Sequence, residues 1–283
     1  MKLNDVGVGK PIKFVEIAKT KIAISRVGPV GQGHTVVCLH AIGHGGRDFE
    51  QFVELNKHDF DIVCIDWPGQ GNSVSDGSDA ASDHYADLLE NILGALEIER
   101  PILVGCSIGG AVAIRYASKN PVSALVLCNS GGLIPLSPVS KHFCLLMSRF
   151  FAAGVRGAWW YPSAFRLYYR LVLPSPNAHA QRLRIINRCQ ETAPVLQQAW
   201  KDFSTMNNDL SEIACQIDEP ILIAWAMQDR VLPFALNRRV IKKLKNAVVR
   251  KFEGGHAAFL EQPNSFSREF REFASDLPSR CKA

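Results

Sequence analysis

From residue 35 to residue 127 the chain repeats one unit: a short, unbroken apolar run followed by a longer stretch with helical character. The runs are 35–39, 61–65, 102–104 and 124–127, rich in Val, Ile and Leu. Between them lie 48–55, 81–97 and 108–118; in 81–97 the apolar residues Tyr85, Leu88, Leu89, Ile92 and Leu96 recur at helical spacing. A strand that is apolar at nearly every position has no face to offer water. Such strands, separated by helices, belong in a parallel sheet covered on both faces. The alternation stops at Gly131-Gly132 and resumes after Pro220, with a strand over 221–225, a helix over 234–244, a strand over 247–252 and a last helix over 257–273. Two alternating runs, 12–17 and 21–26, are separated by Ala18-Lys19-Thr20 and predict a hairpin ahead of the parallel part.

The interval 133–213 differs in kind. It holds 11 of the 25 aromatic residues, and nine Lys/Arg against four Asp/Glu, an excess of +5 that equals the net charge of the whole chain. A mostly helical insertion between two sheet strands is expected there, acting as a lid over the ligand-binding end of the sheet. The expected division is a core in two parts, 1–132 and 214–283, around a cap over 133–213.

Chemistry concentrates at Val104-Gly105-Cys106-Ser107-Ile108-Gly109-Gly110. This is a G-x-S-x-G placed directly after a strand and before a helix. A serine on so tight a turn has a strained backbone and an exposed hydroxyl, with helix N–H groups aimed at any oxyanion formed nearby. A glycine-rich phosphate turn or a plain packing turn has the same composition. A nucleophilic serine also needs a base, and the base needs an orienting carboxylate. Asp229 follows the strand over 221–225, and His256 follows the strand over 247–252. Singly, Asp229 is compatible with a helix cap and His256 with an ordinary loop histidine. Together with Ser107 they occupy carboxyl ends of strands in one parallel sheet, where such sheets bind ligands.

On these residues the sequence resembles the α/β-hydrolase superfamily, whose triad follows the order Ser, Asp, His. Leu39-His40-Ala41-Ile42-Gly43-His44-Gly45-Gly46 is similar to its His-Gly oxyanion loop. Asp66-Trp67-Pro68-Gly69-Gln70-Gly71-Asn72-Ser73 is similar to its D-x-P-G-x-G-x-S loop, and Gly255-His256 with Glu261-Gln262-Pro263 to its closing motif. The resemblance implies an oxyanion hole made by the backbone N–H groups of Ile42 and Ile108. It implies the α/β-hydrolase fold, a mostly parallel sheet with helices on both faces and a helical cap. Two glycines usual in the family are Ala41 and Ala226 here, the smallest change available. Some members carry the acid after the preceding strand, but Cys128-Asn129-Ser130 offers none, which leaves Asp229 as the candidate.

Serine at position 107 sets the chain apart from the dehalogenases and epoxide hydrolases of this fold, which use aspartate. Carbon–carbon bond hydrolases of the vinylogous diketone type usually carry asparagine where this chain has Cys106. The expected activity is therefore a serine hydrolase that cleaves a carboxylic ester or related acyl bond through an acyl-enzyme, on a partly apolar small-molecule substrate. The alternatives are a carbon–carbon bond hydrolase, an acyltransferase on the same triad, and a non-catalytic binding member of the fold. No metal or organic cofactor is expected. His40 and His44 stand four apart in a glycine-rich loop without an intervening Glu, a poor metal pair; His40 is expected to be structural and His44 to line the substrate pocket.

In the cap, Arg166/Arg170 and Arg184/Arg188 share helix faces at four-residue spacing. Three readings are open: a solvated cationic face, recognition of a substrate carboxylate or phosphate by Arg166 and Arg170, and contact with an anionic membrane through Trp159-Trp160-Tyr161. Net charge of +5 is too mild to imply nucleic-acid binding. The stretch 143–161 is interrupted by Arg149 and Arg156, so no transmembrane segment is expected. The residues MKLNDVGVGKPIKF hold no signal-type apolar run, and the eight cysteines form no disulfide-like or zinc-like spacing. A cytoplasmic setting with reduced thiols follows as the expectation; oligomeric state is silent in the sequence.

Overall fold

A computed structural model describes residues 12–17 and 20–278. Strands β1 (Ile12–Ile17) and β2 (Thr20–Val27) pair antiparallel, Ile12 opposite Ser25 and Ile17 opposite Thr20. Residues 18 and 19 of the expected turn lie outside the described residues. The remaining strands are β3 (Thr35–Leu39), β4 (Asp61–Ile65), β5 (Ile102–Cys106), β6 (Ala124–Cys128), β7 (Ile221–Ala226) and β8 (Ala247–Phe252). The sheet order is β1-β2-β4-β3-β5-β6-β7-β8. β2 meets β4 antiparallel, and every pairing from β4 to β8 is parallel. This is the α/β-hydrolase fold. Every residue of β3 to β7 is buried, as strands covered on both faces require.

A 3-10 turn at Gly46–Phe49 leads into α1 (Glu50–Asn56), and α2 (Ser82–Ala95) and α3 (Ile108–Ala117) follow. Five helices fall between β6 and β7: α4 (Pro138–Val155), α5 (Tyr161–Val172), α6 (His179–Asn187), α7 (Cys189–Asp202) and α8 (Ser211–Gln216). α4 starts at Ser137, where a capping box closes. Ser140 N–H donates to Ser137 Oγ at 3.1 Å, and Ser137 N–H donates to Ser140 Oγ at 2.8 Å. Pro138 fits the first turn because no intrahelical acceptor awaits its missing N–H.

The core resumes with α9 (Phe234–Ile241), α10 (Ala258–Glu261) and α11 (Pro263–Ser275). The single last helix expected over 257–273 is thus two. Pro263 disfavours helical backbone at Gln262, which adopts φ −133° and ψ 54°, and the proline then opens α11. The described cysteines are free, and Cys38, Cys64, Cys106 and Cys128 are buried within strands. Among the described residues no helix is long and apolar enough to cross a membrane.

Candidate active site

Ser107 joins β5 to α3 with φ 53° and ψ −117°, a conformation that costs a non-glycine residue roughly 1–3 kcal/mol. Its neighbours enforce the turn. A Cβ on Gly105 would lie 2.4 Å from the Gly109 carbonyl oxygen, and one on Gly109 would lie 2.2 Å from that of Leu39. Only glycine lets α3 approach the sheet this closely. The carbonyl of Ser107 accepts from Gly110, Ala111 and Gly131 N–H groups, which holds the turn from both sides.

His256 follows β8, and its Nδ1 lies 2.8 Å from Asp229 Oδ2, after β7. The His256 backbone N–H donates to the Val172 carbonyl at the end of α5, so the insertion also braces this loop. Asp229 is a saturated acceptor. Its Oδ1 takes Val231 N–H at 2.7 Å and Leu232 N–H at 3.0 Å, and its Oδ2 takes Asn129 Nδ2 at 2.7 Å. Burial pushes the carboxyl up. The His256 charge and the bonds from His256, Leu232 and Val231 overcome that and hold it below its ordinary value. For His256, burial opposes the charged ring, but the charge and hydrogen bond of Asp229, helped by Glu261, raise it above an ordinary imidazole. Glu261 is buried, and burial keeps its carboxyl high despite bonds from the Ser175, Gly255 and Ala257 N–H groups.

The loop after β3 is shaped by the loop after β4. Asp66 Oδ1 accepts Gly46 N–H at 2.6 Å, and its Oδ2 accepts Asn72 N–H at 2.8 Å. Gln70 Oε1 accepts Gly43 N–H at 2.6 Å, while its Nε2 donates to Tyr85 Oη at 3.1 Å. The two N–H groups that follow Ile42 are thereby committed, that of Gly43 to Gln70 and that of His44 to the Ala41 carbonyl. His40 has both ring nitrogens engaged. Nδ1 donates to the Ala41 carbonyl at 2.7 Å and Nε2 accepts Trp67 N–H at 3.0 Å. Burial holds it below the usual imidazole value, as a neutral structural histidine requires. Among the described residues no cluster of side chains could hold a metal ion.

Ser107, Ile108, Ile42, Ala41, His44 and His256 line one cavity of about 550 Å³. The insertion supplies its far wall: Phe143 and Cys144 from α4, Tyr168 and Val172 from α5, Leu196 and Trp200 from α7. Arg166 and Arg170 are exposed and are not part of that wall. The structure therefore does not bring them to the cavity. Tyr161, Phe165, Tyr169 and Val172 form the buried stripe of α5, and the two arginines, one position on from Phe165 and Tyr169, are turned out of it. The arginine that does line the cavity is the exposed Arg230.

Against this geometry, the family model for the alpha/beta hydrolase family matches residues 36–269. The chain belongs to the alpha/beta hydrolase family. Its curated relatives include a 2-hydroxy-6-oxononadienedioate/2-hydroxy-6-oxononatrienedioate hydrolase from Paraburkholderia xenovorans, 28% identical, covering 92% of this chain and 94% of the relative. A pimeloyl-[acyl-carrier protein] methyl ester esterase from Vibrio parahaemolyticus is 25% identical, over 87% and 96% of the two chains. Among solved structures, an esterase from Exiguobacterium antarcticum superposes with a TM-score of 0.78 at 18% identity, covering 93% of this chain and 99% of its own, a likeness of fold. Family and relatives together support hydrolytic chemistry.

In this alpha/beta hydrolase the motif residues do not complete the site. Asn129, with φ 40°, clamps Asp229 through Nδ2 and accepts Ala226 N–H at its Oδ1, 2.9 Å away. The sequence signal was present: Asn129 lies after the strand where some members of the resembled family carry the acid, and an amide there can serve an acid placed later. Asp48 and Gln181 behind His44 are the other pair that motif reading leaves out.

Proposed function

We propose that the protein is a serine hydrolase of carboxylic esters or related acyl bonds, acting through an acyl-enzyme held by Ser107, His256 and Asp229. The observation that carries this reading is one relationship. An imidazole fixed by a buried carboxylate faces the same apolar cavity as a serine held in a strained strand-to-helix turn. With Nδ1–H bound to Asp229, His256 presents Nε2 as the base. Ser107 Oγ attacks the carbonyl carbon as its proton passes to Nε2. The backbone N–H groups of Ile42 and Ile108 receive the oxyanion, and the imidazolium returns the proton to the departing alcohol. Water, deprotonated by His256, then attacks the acyl carbon, releases the acid and restores Ser107. The helices over 133–213 act as a cap whose inner aromatics select a partly apolar substrate.

The relative from Paraburkholderia xenovorans gives weight to carbon–carbon bond hydrolysis as a second reading. Two features favour the ester. Cys106 is wholly buried, its thiol directed at the His256 carbonyl at 3.5 Å, so it offers the cavity no amide. A dioate also asks for two cationic partners, whereas the cavity is lined by Arg230 alone among Lys and Arg. Intact mass after fluorophosphonate treatment tests the nucleophile: one adduct on the wild type, none on Ser107→Ala. An ester panel with added alcohols, beside a vinylogous diketone, then distinguishes hydrolysis, acyl transfer and carbon–carbon cleavage. Absence of an adduct on the folded wild type would refute the proposal.

A further inference from the structure

A second histidine–carboxylate pair faces the cavity from the side of the loop after β3. His44 Nδ1 lies 2.5 Å from Asp48 Oδ2, with both side chains almost wholly buried, at 3% and 1% exposure. The other oxygen of Asp48 accepts from Gln181 Nε2 on α6. The orientation of that amide is settled by a third residue. Arg184 Nε donates to Gln181 Oε1 at 2.6 Å, and a guanidinium can only donate, so the NH2 group of Gln181 must face Asp48. Asp48 is thus an acceptor on both sides and Nδ1 of His44 carries the hydrogen, so the tautomer this arrangement selects has its lone pair on Nε2. Tyr169 holds the ring from the cap side, with centroids 5.7 Å apart.

Nε2 has no hydrogen-bond partner among the described residues, and the ring lines the cavity beside Ala41, Ile42 and Leu196. Those apolar neighbours supply no donor. We propose that His44, held by Asp48 and Gln181, is a substrate-binding subsite that accepts a hydrogen bond from a hydroxyl group on the ester. The natural substrate class is then a hydroxylated ester, the hydroxyl standing on either the acyl or the alcohol part. An ester without it excludes water from Nε2 and leaves a buried acceptor unpaired, which is how such sites reject the deoxy analogue. The proposal rests on the ester-hydrolase reading for its reaction, but its binding step does not need turnover.

Two matched pairs test it: glycerol monobutyrate against propyl butyrate, and ethyl 3-hydroxybutyrate against ethyl butyrate. Equilibrium binding to Ser107→Ala and kcat/KM on the wild type should both favour the hydroxylated member of at least one pair by about tenfold, one hydrogen bond's worth. His44→Phe, in either background, should bring that ratio close to one. Asp48→Asn gives a second readout that keeps the ring. With Gln181 donating to the asparagine oxygen, its amide donates to Nδ1 and moves the hydrogen to Nε2, so the acceptor-only ester ethyl acetoacetate, which gains nothing over ethyl butyrate on the wild type, should gain on this variant. Melting temperatures of the variants verify that they are folded. Equal binding within both pairs, or a preference that survives His44→Phe, overturns the proposal. Discrimination on Ser107→Ala without ester turnover by the wild type would keep the subsite and refute the ester reading.

Discussion

Asn129 Nδ2 donates to Asp229 Oδ2 at 2.7 Å, and that same oxygen faces His256 Nδ1 at 2.8 Å. An amide thus occupies the end of β6 and serves the carboxylate at the end of β7. Replacing it with an acid would put two carboxylates against each other without their donor.

Asn129→Asp is therefore expected to cost about 3 kcal/mol at neutral pH, the scale of breaking a buried charged network. Asparagine and aspartate both tolerate the left-handed φ at this position, so the backbone itself is not perturbed. Like charges raise one carboxyl above its unfolded value, so the penalty exists at high pH and fades as pH falls through the raised value. Thermal unfolding at pH 7.5 and pH 5 should show the gap to wild type narrowing at the lower pH. A gap independent of pH would contradict this account.

The base limb of catalysis provides a second expectation. In the proposed mechanism His256 has to be neutral to accept the Ser107 proton, and the Asp229 charge holds the ring above its ordinary value. The acid limb of kcat/KM should then have its midpoint above about 6.5, the unperturbed imidazole value. Asp229→Asn removes the raising partner and leaves burial, so the limb should move to lower pH while kcat falls by about a thousandfold or more. A pH–rate profile of the two proteins measures both effects.

Two glycines predict opposite signs. Gly109→Ala forces a Cβ to 2.2 Å from the Leu39 carbonyl, backbone against backbone, and should destabilise by about 3 kcal/mol or more. Gly94 sits near the exposed end of α2 with nothing within 4 Å of an added Cβ. Gly94→Ala should stabilise by about 0.5–1 kcal/mol through helix propensity alone. Denaturant midpoints decide both.

The strands, their order along the chain and the placement of Ser107, Asp229 and His256 at strand ends were legible because each rests on local sequence: an apolar run, a turn, a following helix. What was not legible depends on distant partners. Periodicity shows that Arg166 and Arg170 share a face of α5, but only the competing stripe of Tyr161, Phe165 and Tyr169, packed inward, decides that this face is outward. The four-residue spacing of His44 and Asp48 is visible, yet the residue that orients the pair is Gln181, brought from α6 by the fold. Pro263 was a visible breaker whose effect on the last helix outweighs the apolar spacing around it.

The outward arginines take on a different meaning beside their neighbours. No Asp or Glu occurs between Glu99 and Glu191, and Lys141, Arg149, Arg156, Arg166 and Arg170 on α4, α5 and their junction pair with no carboxylate among the described residues. The same helices and their junction also expose Val139, Leu146, Leu167 and Trp159, the last at 90%. Val139 also lines the cavity. Cations beside exposed apolar side chains match an anionic lipid surface, where each basic residue contributes about 1 kcal/mol. The protein is expected to sediment with phosphatidylserine-containing vesicles at low salt, to be released at high salt, and to ignore neutral vesicles. Trp159→Ala with Arg166→Ala and Arg170→Ala should weaken sedimentation at least tenfold. The arginine pair by itself should alter KM equally for anionic and neutral soluble esters, because neither guanidinium reaches the cavity. Sedimentation unaffected by salt and by these substitutions would exclude these helices as a membrane contact.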